Sequence, residues 1–124
     1  MKTYKGDDKI NGIIWYDYSV IQRKPLPSFE YESKECKVKI YVTKQDGVWV
    51  GSYEYDIDYG CVSGFNPGRK WGEFDSKEEA EEYYCTQLIR ELKKVNLDNR
   101  CNLSNVIKAL EEYYQKIWQY DLFQ

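Results

Sequence analysis

The 124-residue chain is predicted to be an α+β domain, an antiparallel sheet of three to four strands followed by two C-terminal helices packed on one face. Three observations predict it. Alternating apolar and polar residues flank Asp46-Gly47, the apolar repeat changes to three and four after Asp75, and no Pro, Gly and Ser tract is long enough to divide the chain. One unit over residues 1–124 follows, of a length that buries a single core.

Residues Ile10 to Ile21 place Ile14, Tyr16, Tyr18 and Val20 on one alternation and Trp15 and Asp17 on the other, the pattern of a strand. Arg23-Lys24-Pro25-Leu26-Pro27-Ser28 cannot continue a central strand, because two prolines remove N–H donors and fix φ, so it is predicted to be a surface connection. Cys36 to Thr43 and Val48 to Ile57 form the arms of a β-hairpin, since Asp46-Gly47 tolerates the positive φ values of a tight turn. With those two residues as the loop, Val42 faces Gly51, Ile40 faces Tyr53, Val38 faces Tyr55 and Cys36 faces Ile57. Lys39 then lies opposite Glu54 and Lys37 opposite Asp56, each pair worth ~0.2–1 kcal/mol, and a slip of one residue loses both matches.

The glycine-punctuated stretch Gly60 to Lys70 leads into Trp71-Gly72-Glu73-Phe74, short enough to be a third strand of the same sheet. Asp75 with Glu78, or Ser76 with Glu79, has capping-box spacing and opens a helix that runs to about Val95. Ala80, Tyr84, Leu88, Leu92 and Val95 form its apolar stripe. A second helix runs from about Leu103 to Leu122, with a wide stripe through Val106, Ile107, Leu110, Tyr113, Tyr114, Ile117 and Trp118.

Composition narrows the chemistry. With 13 Tyr, 4 Trp and 4 Phe against one Met, aromatic packing carries much of the stability, and tyrosines are expected at the boundary between core and water. The net charge of −3 provides no delocalised attraction to nucleic acid or an anionic membrane. No apolar run is as long as a membrane span, and no apolar signal-peptide stretch follows Met1 to Asp8, so a cytoplasmic location with Cys36, Cys61, Cys85 and Cys101 reduced is expected. No cysteine pair has Cys-x2-Cys spacing, and no metal or cofactor is expected.

The chain contains no histidine, which removes histidine-based triads and the commonest general base near neutral pH. No cysteine lies in a nucleophile motif. Gly64 to Lys70 departs from the Walker pattern, because three residues separate Gly64 from Gly68 and Arg69 follows. Phe65, Arg69, Lys70 and Trp71 remain as candidate binding residues, since an aromatic beside two cations suits a protein interface or a stacked base. The second candidate group is the acidic helix start, Asp75, Glu78, Glu79 and Glu82, whose plainer reading is compensation of the helix dipole.

From Cys36 to Ala80 the order strand, Asp46-Gly47 turn, strand, Gly60-Cys61, then Ser76-Lys77-Glu78-Glu79-Ala80 opening a helix resembles the partial RNase H-like module of HicB-type antitoxins. The chain departs from it in the insertion at Val62 to Lys70 and in the N-terminal region. The α-β-β-β-α order of double-stranded RNA-binding domains is a second resemblance, from which the N-terminal strand and a second helix without a basic start depart.

A non-enzymatic accessory protein is the leading expectation. It would bind a larger protein, such as a defence nuclease, in the manner of the anti-CRISPR proteins of phages and mobile elements, its acidic patch suiting a basic nucleic-acid groove. A nucleic-acid-binding module using Lys37, Lys39 and Tyr41 on the polar strand face with Arg69, Lys70 and Trp71 is the alternative. The resemblance adds a HicB-like antitoxin, and the wide stripe of the second helix a homo-oligomeric structural protein.

Overall fold

The computed structural model describes residues 9–10, 13–14, 20–21, 23–57, 61–96 and 102–122. Strands β1 (Lys9–Ile10) and β2 (Ile13–Ile14) form a short antiparallel pair. Ile10, Ile13 and Ile14 fall in the region expected to be one strand from Ile10 to Ile21, and the antiparallel pairing of Ile10 with Ile13 corrects that expectation at its start, while its far end carries a bridge between Val20 and Gly68. Residues 11, 12 and 15–19, on which the rest of that expectation rests, lie outside the described residues.

β3 (Phe29–Glu32), β4 (Cys36–Gln45), β5 (Val48–Ile57) and β6 (Cys61–Gly64) make a four-stranded antiparallel sheet in chain order. Helices α1 (Lys77–Asn96) and α2 (Ser104–Leu122) follow and pack on one face of it. Asp46 and Gly47 take φ of 53° and 84°, so the turn has the two positive values that the dipeptide permits. The register of β4 on β5 is the expected one, with Val42 on Gly51, Ile40 on Tyr53, Val38 on Tyr55 and Cys36 on Ile57.

The charges on the other face find different partners. Lys37 reaches Glu32 of β3 at 3.4 Å, a pair more than half exposed on both sides and so worth little. Glu54 is taken by Lys24, which arrives from the proline-containing connection. Lys39 stands across from Glu54 in the register and contributes to it only at longer range.

Two strands differ from expectation. Phe-Glu-Tyr-Glu at 29–32 alternates half-buried aromatics with exposed acids, and it pairs with β4 so that Phe29 and Tyr31 join the core side. The sheet's last strand is β6, inside the glycine-punctuated stretch. Trp71 lies in a 3-10 turn (Arg69–Trp71), and Gly72 then adopts φ 146°, which breaks the extended run assigned to Trp71 to Phe74. Among the described residues Trp49 and Phe74 are bridged there, exchanging N–H···O bonds of 3.0 and 2.9 Å.

Ser76 rather than Asp75 caps α1. Its Oγ accepts the Glu79 N–H at 3.2 Å, and the Glu79 carboxylate accepts the Asp75 N–H at 3.3 Å, a reciprocal arrangement shifted by one residue from the usual box. The stripe Ala80, Tyr84, Leu88 and Leu92 is buried against Val38, Ile40 and Ile57, and Leu103, Val106, Ile107 and Leu110 of the α2 side complete the core.

Among the described residues Tyr84 is the largest fully buried side chain, and its ring meets Tyr83, Phe74 and Phe65 at centroid distances of 5.0, 5.7 and 6.2 Å. Its buried hydroxyl has no hydrogen-bond partner among the described residues, and burial pushes its pKa up. An unpaired buried hydroxyl is costly. Tyr84→Phe keeps the ring contacts and removes that cost, so the variant is expected to be about 1 kcal/mol more stable than wild type by urea denaturation. A loss of stability would show that the hydroxyl is paired.

The opposite face of the sheet is not open along its whole length. Tyr41, Val50 and Ser52 on that face are all buried. Lys24 lies 5.4 Å from the Tyr41 ring centroid.

Candidate functional site

The segment from Phe65 to Phe74 crosses the hairpin and is held at several points. Phe65 is half-buried, packed edge-on to Tyr53 at 5.1 Å and to Trp71 at 5.0 Å, so it closes the core rather than projecting from it. Arg69 donates its backbone N–H to Gln45 Oε1 at 2.9 Å and its Nε to Glu73 Oε1 at 2.6 Å, while its guanidinium lies 3.5 Å from Asp46. It ties the loop to the hairpin turn, which sequence reasoning assigned to a ligand. Lys70 sits 4.5 Å from the Trp71 ring centroid.

Trp71 is the exposed aromatic of this group. It is 36% exposed, and its indole N–H donates to the Asn66 carbonyl at 2.9 Å. With Phe65 behind the ring and Lys70 over it, one orientation is fixed before any partner arrives. The expected loop is therefore a braced platform presenting one aromatic.

The acidic residues divide in the same way. Glu79 is occupied by the cap, and Glu82 accepts the Tyr114 hydroxyl at 3.1 Å. Asp75 and Glu78 have carboxylates that make no hydrogen bond or ion pair among the described residues, and Asp75 is exposed. Glu79 and Glu82 line an open cleft of about 340 Å³ with Phe74, Tyr83, Thr86 and Gln87.

A second cleft of about 410 Å³ lies on the strand face, lined by Lys24, Lys37, Lys39, Glu54, Tyr55, Asp56, Ser63 and Gly64. Lys37 and Lys39 are the lysines expected of a nucleic-acid surface, but Tyr41, the strand-face aromatic expected with them, is not available. Tyr41 is 4% exposed, donates its hydroxyl to Glu54 Oε1 at 2.6 Å and carries Lys24 over its ring, so no base can stack on it. Burial alone would raise the Glu54 pKa, yet the hydrogen bonds from Lys24 and Tyr41 hold it below the usual carboxylate value.

Between the helices, Glu81 is 9% exposed with Lys77 at 3.6 Å. Burial raises its pKa and Glu78 adds to that, against Lys77 and the Tyr113 hydroxyl. Cys85, on the same helix, is buried, donates to the Leu110 carbonyl at 3.3 Å, and has its thiol pKa pushed up by burial to about 12, which makes it a poor nucleophile. A raised carboxyl pKa means that folded Glu81 binds its proton more tightly than in the unfolded chain. Its contribution is therefore present below the unfolded value and is lost as pH rises through the higher folded value. Glu81→Gln is expected to gain stability relative to wild type as pH climbs above the ordinary glutamate value of 4.5. Parallel urea midpoints for the two proteins across that range would contradict it.

Among the described residues, no cluster of acidic, cysteine or histidine side chains could hold a metal, and no helix is long and apolar enough to cross a membrane. Sequence reasoning missed the Lys24, Tyr41 and Glu54 cluster, because it joins positions far apart in the chain. It also passed over Leu26, which was placed in a surface connection and is 90% exposed. Comparison with models of known protein families, with curated proteins and with solved structures returns no match.

Proposed function

We propose that this chain is a non-enzymatic accessory protein that binds a larger protein through the surface around Trp71. The carrying observation is the geometry of that residue: a partly exposed indole fixed by the Asn66 carbonyl, the Phe65 ring and the Lys70 ammonium. A large aromatic held in its binding orientation loses little entropy on association and is a favoured interface anchor. The absence of histidine from the whole chain and the high pKa of the buried Cys85 thiol support a binding role over a catalytic one.

Asp75 and Glu78, a few residues along from Trp71, suit a basic partner surface. The partner class this favours is a nucleic-acid-processing enzyme, with the chain acting as an inhibitor of the kind that phages and mobile elements carry against host defence. The nucleic-acid-binding alternative is less favoured because Tyr41 is buried.

The test is affinity capture from the native host, followed by measurement of Kd with the purified partner. Trp71→Ala is expected to weaken binding by about 30-fold, the effect of a hot-spot truncation of about 2 kcal/mol. Asp75→Asn/Glu78→Gln is expected to slow association and reduce its salt dependence. An unchanged Kd for Trp71→Ala would end the assignment.

A further inference from the structure

The strand-face cleft holds two charges that the fold has parted from their cross-strand partners. Register sets Lys39 across from Glu54 and Lys37 across from Asp56, all on one face of the β4 and β5 pair. Neither couple meets as an ion pair among the described residues, because outsiders intervene twice. Glu54 has both oxygens taken, Oε2 by the Lys24 ammonium and Oε1 by the Tyr41 hydroxyl at 2.6 Å. Lys37 turns to Glu32 of β3 at 3.4 Å.

Each displacement leaves one member over. Lys39 is half-buried and Asp56 exposed, and neither its ammonium nor its carboxylate makes an ion pair or hydrogen bond among the described residues. One unpaired surface charge is ordinary. Here two separate displacements leave a cation and an anion lining the same cleft. They stand diagonally across the two strands, and such neighbours lie about 7–8 Å apart, a span that a small ligand between the two side chains can bridge.

Gly64 keeps room for that ligand. It ends the row of Lys39 and Glu54 on β6, and a Cβ there would stand 2.8 Å from Glu54 Cβ and 3.6 Å from its Oε2. With no side chain at 64, the cleft keeps its volume of about 410 Å³, which is within the range of small-molecule sites. Glu54 does not draw a ligand's cation away from Asp56, since Lys24 neutralises it. A simple anion would satisfy Lys39 and be repelled by Asp56, and a simple cation would meet the reverse. A molecule carrying both charges satisfies both, through charge-assisted hydrogen bonds.

We infer that this cleft binds a small zwitterion of the amino-acid class, its carboxylate on Lys39 and its ammonium on Asp56. This goes beyond the Trp71 surface and uses different residues.

The probes are glycine, β-alanine, γ-aminobutyrate and L-leucine, titrated in mildly acidic buffer into the full chain and followed by NMR shifts of its backbone amides. Saturable shifts around Lys39 and Asp56 are expected with at least one of them. N-acetylglycine, which lacks the cation, and glycinamide, which lacks the anion, are expected to bind about tenfold more weakly or worse, as are Lys39→Met and Asp56→Asn with the intact zwitterion. Neither group is engaged within the fold, so both variants are expected to keep the wild-type urea midpoint, which separates lost binding from lost folding. Absence of a saturable shift with every probe would overturn the inference, as would binding that either variant leaves undiminished. N-acetylglycine or glycinamide binding as tightly as the best zwitterion would reduce the cleft to ordinary surface ion pairing and overturn it as well.

Discussion

Gly51→Ala is expected to lower stability by about 2–3 kcal/mol, although it adds a single carbon. A Cβ at that position would stand 2.7 Å from the Tyr41 carbonyl oxygen and 2.7 and 2.8 Å from Cδ2 and Cε2 of Tyr84. The carbonyl is backbone in the middle of β4 and cannot retreat without disturbing the ladder. The ring is buried among other rings and has little room to swing. The absent side chain at 51 is therefore the space in which Tyr84 lies against the sheet. A double-mutant cycle checks this: Tyr84→Leu withdraws the ring, so the alanine is expected to cost less in that background, though not nothing, because the carbonyl contact remains. Equal costs in the two backgrounds would show that the ring is not the obstacle.

Phe65→Ala is the second large effect, an expected loss of about 2–3 kcal/mol, below the range for a fully buried phenylalanine because this one is half-buried. Its ring touches Tyr53, Trp71 and Tyr84, so truncation opens a gap above the core and removes the back support of the indole. A shift of the tryptophan fluorescence spectrum toward that of an exposed indole is expected alongside the lowered urea midpoint. A midpoint within about 0.5 kcal/mol of wild type, the range of ordinary surface substitutions, would put Phe65 outside the core. The consequence for function is practical. Phe65 and Arg69 are residues through which the loop is built, and Trp71→Ala separates binding from folding more cleanly than changing either of them.

The hairpin and both helices could be read from the residues alone because their signals are local. Asp46-Gly47 selects the turn, the apolar match across it selects the register, and Ser76 with Glu79 marks the start of α1. β3 was legible in principle, since Phe29, Glu30, Tyr31 and Glu32 alternate, but two preceding prolines and a length of four residues made the signal weak. Trp71 to Phe74 was misread because aromatic residues favour strands, whereas Gly72 at positive φ decides the local conformation. Partner choice among charges was the least legible. Register places Lys39 opposite Glu54, yet Lys24, thirty positions away, takes that carboxylate because Tyr41 offers it a ring to lie on and a hydroxyl that orients Glu54. The candidate site followed suit: Arg69 and Glu79 have the residue types of a binding surface, and only the folded arrangement shows them engaged internally.

The plain order of the sheet, each strand paired with its neighbour in the chain, has a kinetic consequence. Every pairing from β3 to β6 closes a loop of a few residues, so the β4–β5 hairpin can act as a nucleus onto which the outer strands zip without a costly distant encounter. Docking of α1 and α2 onto the formed sheet is the step with the longest sequence separations, so it is expected to limit refolding, and substitutions at the helix face are expected to slow refolding more than changes in the turn do.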